Sequence, residues 1–146
     1  MPPRRIAAIP ASTPSRVLYA LTLAGDGKQS VFKREADYVS DMLASRFGSR
    51  GRITLVNHRD HLLDRPMATR ENLYRAAKTL AGRTGPEDLI FIYLTSHGTQ
   101  EHELVLDQPR MELADLPADE LAAALAPLKN RDKIIVISSC YSGGFI

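Results

Sequence analysis

The 146-residue sequence holds a single cysteine, Cys140, so no disulfide can form within the chain. A domain of about 150 residues buries roughly 68–70% of the surface its unfolded chain exposes, so burial alone can hold a core together. A lone thiol fits a reducing compartment, and a cytoplasmic location is the expectation. Long apolar runs are lacking as well. The longest are strand-sized, which excludes a membrane-spanning helix. The leading "MPPRRIAAIPASTPSR" is basic and free of acids but has no apolar stretch of signal-peptide length, so residues 1–15 read as a flexible tail. The weaker option is the remnant of a targeting segment. Charge of one sign is also scarce: the net charge is +2, and no basic stripe with interleaved aromatics suggests nucleic acid. With no internal repeat or low-complexity tract, residues 16–146 read as one domain.

Apolar patterning is plentiful. Val17 to Leu23, "VLYALTL", is a continuous apolar run closed by "AGDG", the pattern of a strand buried on both faces. Phe32, Ala36, Val39, Leu43 and Phe47 recur at helical spacing before Gly48, which supplies a stop. "RITLV" predicts a second strand. Leu73, Ala77 and Leu80 predict a second helix, opened by Thr69 and closed by Gly82. "EDLIFIYLTSHG" is a third strand and "HELVLD" a small hairpin arm. Pro117 introduces a helix carrying Leu121, Leu125 and Leu128, and "DKIIVISS" is the fourth strand. Such alternation predicts a parallel sheet with helices on both faces.

Functional groups in this architecture gather beyond the carboxyl ends of strands. His97 and Cys140 both stand there, each after an apolar run introduced by a charged turn. A free thiol has a pKa near 8.5, and an imidazole or a helix N-terminus is needed to stabilise the thiolate at neutral pH. His97 offers the first, and the residues after Cys140 could begin a helix that offers the second. Gly143 and Gly144 leave room for a substrate backbone. The N–H groups of Gly98 and Cys140 could form an oxyanion hole, and the expected chemistry is acyl transfer. Other readings fit less well. "GDGKQS" lacks the spacer of a phosphate loop, and Ile146 stands where a cysteine phosphatase needs arginine. The order of His before Cys is the reverse of a glutaminase site. His58 and His61 lack completing metal ligands and read as a polar loop, and no cofactor is implied. A core cysteine with an incidental histidine remains the bland alternative.

The segments "EDLIFIYLTSHGTQEHELVLD" and "DKIIVISSCYSGGF", supported by "AGDGKQSVFKREAD", resemble the legumain-like cysteine peptidases, which share the caspase fold. The chain looks most like bacterial-type members. The resemblance implies an α/β, caspase-like three-layer fold with a mainly parallel sheet in the strand order second, first, third, fourth. Four core strands are expected to be present and the last two missing, so that the chain is the N-terminal portion of a peptidase domain. It implies a cysteine endopeptidase acting through a Cys140–His97 dyad and a thioester acyl-enzyme, with Gly98 and Cys140 as the oxyanion hole. Lys33 and Arg34 fall where the family's basic S1 residues lie. Ser138 replaces an acidic residue of eukaryotic legumains, and with those two cations it predicts Asn or Asp at P1. Ser96 replaces an aspartate before the histidine, and Ser138 and Ser139 depart from the Gln-Ala of caspases. A polypeptide substrate is the expected partner. A separate C-terminal chain or a second copy is expected to cover the apolar edge Ile134–Ile137. The alternatives are a catalytically impaired caspase-fold regulatory or interaction module, a transamidase, or a doubly wound ligand-binding protein.

Overall fold

The computed structural model describes residues 17–61, 65–109, 111 and 113–140. The expected tail over 1–15 and the glycines Gly143 and Gly144 lie outside these residues. In chain order come β1 (Leu18–Ala24), α1 (Ser30–Phe47), β2 (Gly51–Val56), α2 (Arg70–Arg83) and β3 (Leu89–Thr95). An antiparallel arm of β4 (Glu103–Leu104) and β5 (Leu116–Pro117) precedes α3 (Ala118–Ala124) and β6 (Asp132–Ser138). The sheet order is β2-β1-β3-β6, and every neighbouring pair is parallel. Parallel neighbours must be joined by crossovers, which are right-handed. Because the chain steps one way from β1 to β2 and the other way from β2 to β3, α1 and α2 fall on opposite faces. The expected three-layer architecture is present.

Side-chain size along β1 decides what packs where. Tyr19, Leu21 and Leu23 point to one face and join Leu73, Leu80, Leu121 and Leu128 from the helical layer of α2 and α3. Ala20, Thr22 and Ala24 point to the other, where small side chains let α1 approach closely through Phe32 and Ala36. β1 is almost wholly sealed, its residues 19–24 being inaccessible. At about 25 cal/mol per Å² of apolar area, the burial of one such leucine contributes roughly 2 kcal/mol.

Helix ends follow local chemistry. Thr69 caps α2, its hydroxyl accepting from the Asn72 N–H at 3.0 Å. Gly48 ends α1 in the left-handed region at φ 62°, its N–H donating to the Leu43 carbonyl. The expected stop at Gly82 is passed by the helix. α2 runs to Arg83 and ends where the Thr84 hydroxyl donates to the Leu80 carbonyl at 2.7 Å. The expected helix over Leu121–Leu128 divides into α3 and a 3-10 turn at Ala126–Leu128, because Pro127 has no N–H and disfavours helical geometry in the residue before it. No helix among the described residues is long and apolar enough to cross a membrane.

Candidate functional site at the carboxyl edge of the sheet

The register places Thr95 beside Ser138, so His97 and Cys140 each lie two residues beyond the same rung of β3 and β6. The Ser96 N–H reaches across to the Ser138 carbonyl at 3.3 Å. The hairpin arm braces the turn that follows. The Val105 N–H donates to the His97 carbonyl at 2.9 Å and the Ser96 hydroxyl to the Val105 carbonyl at 2.7 Å. Gly98 lies directly against Cys140: any β-carbon there would collide with the Cys140 carbonyl oxygen, and the Ser139 hydroxyl stands close by. Only glycine permits this approach. Topology therefore brings the backbones of Gly98 and Cys140 together, as the order of motifs predicted.

The side chains do not follow. His97 turns toward the β1–α1 turn, where its Nε2 lies 3.9 Å from Asp26 Oδ2 and its ring meets Phe32 edge-on at 4.9 Å. Asp26 is buried, and its other carboxylate oxygen accepts from the Lys28 N–H at 3.0 Å. Cys140 is a free, exposed thiol. Among the described residues no imidazole is hydrogen-bonded to Cys140, and no three His, Cys, Asp or Glu side chains cluster. The expectation of a Cys140–His97 dyad is thereby corrected, and with it thiol-protease activity through an acyl-enzyme. The physical reason is that strand register fixes where a backbone ends, whereas the direction of the next side chain is set by its neighbours. Asp26 comes from the β1–α1 turn and Phe32 from the first turn of α1, and the imidazole lies against them. An imidazole at hydrogen-bond distance, the partner a thiol nucleophile needs, is not present at Cys140 among the described residues.

Lys33 pairs with Asp37 at 3.3 Å, and Arg65 holds the same carboxylate through two bonds of 2.7 and 3.0 Å. Burial alone would raise the Asp37 pKa, but the bonds from Arg65 and Lys33 outweigh it and keep the carboxyl below its usual range. Arg34 points to solvent. The α1 residue that faces the carboxyl end of β3 is Glu35, whose Oε1 accepts from the Tyr93 hydroxyl at 3.0 Å and from Thr95 Oγ1 at 3.4 Å. Burial first, then the Glu35 carboxylate, pushes the Tyr93 phenol above its ordinary value, with the nearby Ser138 side chain opposing. A polar cluster of Glu35, Tyr93, Thr95 and Ser138 thus lies beside the β6 edge. Glu35 was legible in principle, since it stands one helical step from the buried stripe of Phe32 and Ala36, on the side away from Lys33.

His58 is tied into the fold by both ring nitrogens. The Asp60 N–H donates to His58 Nδ1 at 3.1 Å, which leaves Nε2 as the protonated nitrogen donating to Ser30 Oγ at 2.9 Å. Burial pushes its pKa down, with Asp60 opposing. His61 lies 5.3 Å away, ring to ring.

No curated protein matches the chain. The model of the Peptidase C13 family matches residues 18–81 and 76–146. That span takes in the whole parallel sheet and both motif-bearing strand ends, and with the strand order seen here it means that the chain belongs to the peptidase C13 family.

Proposed function

We propose that the chain is a catalytically impaired caspase-fold interaction module, which takes up an extended polypeptide segment along the edge of β6 that is unpaired among the described residues. The observation that carries this reading is the exposure of three consecutive apolar residues on that strand, Ile134 at 45%, Ile135 at 41% and Val136 at 36%. The Ser138 carbonyl is turned to β3, where it accepts from Ser96. Peptide groups alternate in direction along a strand, so those of Lys133, Ile135 and Ile137 face outward and have no neighbouring strand among the described residues. A row of free donors and acceptors flanked by aliphatic side chains is the surface used in strand addition. Gly98, Ser138 and Cys140 close one end of it.

The test uses the full chain labelled with ¹⁵N and a capped heptapeptide of alternating valine and threonine with norleucine at its fifth position. Binding should shift the amides of Lys133, Ile135 and Ile137 first. Ile135→Pro removes one outward N–H and leaves the β3–β6 ladder whole, so it should abolish the shifts without unfolding the protein. A peptide that does not bind, or binds the proline variant equally well, overturns the reading. Light scattering that shows a mass doubling lost in Ile135→Pro would assign the edge to a second copy instead. Turnover of a peptide library that disappears in Cys140→Ala would refute the impairment.

A further inference from the structure

We infer that the cleft between α1 and β2 is a binding site for a phosphate monoester, gripped by Arg52 and Arg65 and by the hydroxyls of Ser40 and Thr54. It lies at the opposite side of the sheet from β6 and stands apart from the reading of that strand. Asp37, Ser40 and Asp41 of α1 form one wall of the cleft, and Arg52 and Thr54 of β2 form the other. Arg65 stands at the carboxyl end of β2, where the neighbouring Pro66 carbonyl accepts from the Val56 N–H at 2.8 Å. The cavity measures about 260 Å³. Small-molecule sites begin at roughly 300 Å³, so the space suits a phosphate with a short organic group and exceeds what a bare ion needs.

The donors that line the cleft set the class of ligand. A guanidinium carries five N–H groups. Among the described residues Arg52 donates through Nη1 alone, to Asp41 Oδ1 at 2.8 Å and to Ser40 Oγ at 3.5 Å, and Arg65 donates through Nη1 and Nη2 to Asp37. The rest of both forks is unspent. Ser40 is only 4% exposed, yet its hydroxyl contacts with Arg52 and Thr54 both stretch to 3.5 Å, beyond the usual range of a hydrogen bond. Thr54 Oγ1 accepts from the Thr22 hydroxyl at 2.9 Å, which leaves its own proton to that long contact with Ser40. A buried hydroxyl so loosely held costs free energy until an acceptor arrives. The acceptors already present, the carboxylates of Asp37 and Asp41, are paired, so the cleft is complementary to a group rich in oxygen acceptors.

Charge narrows the class further. The ion pairs here join three cations, Lys33, Arg52 and Arg65, to two carboxylates, Asp37 and Asp41, and leave one positive charge over. Asp37 and Asp41 stand one helical turn apart, about 5–6 Å between β-carbons, so the guanidinium groups they hold lie side by side. Asp37 is secured by two cations. Asp41 is not: its side chain is 78% exposed and that of Arg52 41%. A pair this exposed is weak, and a phosphate dianion can displace Asp41 and meet the Arg52 fork with two oxygens. A carboxylate ligand would bring no more charge than the one it displaces. The Asp41 carboxylate thus marks where the phosphate goes.

The experiment titrates N-acetyl-O-phosphoserine amide into the ¹⁵N-labelled full chain at about pH 7.5, above the second phosphate pKa of about 6, beside N-acetylserine amide and inorganic phosphate at equal ionic strength. The phosphoserine probe should shift the amides of Ser40, Asp41, Arg52 and Thr54 and bind more tightly than inorganic phosphate, and the unphosphorylated probe should shift none of them. Arg52→Gln should weaken binding about tenfold or more, the loss of one charge-assisted bidentate contact. Asp41→Asn removes the competing carboxylate and should tighten binding about threefold, the scale of an exposed ion pair. Both positions are exposed, and the amide spectra of the variants report that the fold is kept. Absence of shifts at these residues, or equal binding by Arg52→Gln, overturns the inference. Weaker binding by Asp41→Asn overturns the displacement of its carboxylate. Inorganic phosphate that binds as tightly as the ester makes the free ion the ligand and overturns the assignment to a monoester.

Discussion

The two outer strands of the sheet meet their surroundings in different ways. On β2 the one long exposed side chain is charged: Arg52 reaches Asp41 at 2.8 Å. The Thr54 hydroxyl is tied to Thr22 at 2.9 Å, and the Val56 N–H is taken up by the Pro66 carbonyl at 2.8 Å. Ile53, Leu55 and Val56 are buried. β6 confines its charges to Asp132 and Lys133 and then exposes Ile134, Ile135 and Val136 in succession. Edges are ordinarily blunted by charge or covered by chain. The first edge is finished by its own polypeptide, and the second meets no such cover among the described residues.

Apolar truncation should break the symmetry of the two strands most visibly. Leu55→Ala on β2 opens a cavity among fully buried neighbours and should lower stability by about 2–5 kcal/mol. Ile135→Ala on β6 removes a half-exposed side chain and should lower it by less than about 1 kcal/mol. Denaturant midpoints of the two variants, taken with equal m-values, measure the difference. Similar losses for both would mean that β6 is covered in solution.

A smaller effect belongs to the β2 side alone. Burial lowers the His58 pKa in the folded protein below its unfolded value of about 6.5, so the unfolded chain binds more protons between the two values. Stability should therefore be intact above about pH 6.5 and decline as pH falls through the folded pKa. His58→Asn should flatten that decline in a series of denaturant melts between pH 7.5 and 5, values chosen to be about one unit or more on either side. Asp37 acts in a lower window. Its stabilisation, present above about pH 3.9, should be lost as pH falls through its depressed folded pKa, and Arg65→Leu should reduce that loss.

At the carboxyl end of β6, Cys140 should alkylate with iodoacetamide at about the rate of free cysteine. His97→Ala should change that rate by less than about twofold, because the imidazole is engaged with Asp26 and Phe32. A tenfold slowing in His97→Ala, on the order expected of a working base, would restore the dyad. The smallest effect should come from the charge that blunts β2. Arg52 and Asp41 are largely exposed, and Arg52→Ala should cost less than about 1 kcal/mol in thermal unfolding. Its consequence should appear as self-association if charge is what keeps that edge apart.

Much of the fold is written in periodicity. The runs at Leu18–Ala24, Leu89–Thr95 and Asp132–Ser138, the helical spacing of Phe32, Ala36 and Leu43, and the cap at Thr69 are local signals, and local signals survive without tertiary context. The order of His-Gly and Cys after two of those strands also located the edge where Gly98 and Cys140 meet. What an apolar run cannot disclose is its surroundings. β1 and β6 read alike as sequences, yet one is sealed between two helical layers and the other is half-exposed among the described residues, since burial depends on which strands lie alongside. The site divides in the same way. The chain alone determined which backbones reach the carboxyl edge; only the tertiary structure decided that His97 turns to Asp26, that Lys33 is neutralised by Asp37, and that Glu35 faces β3. Each of those outcomes is a competition among side chains distant in sequence, resolved by packing and charge within a few ångströms, and spacing along the chain carries no record of it.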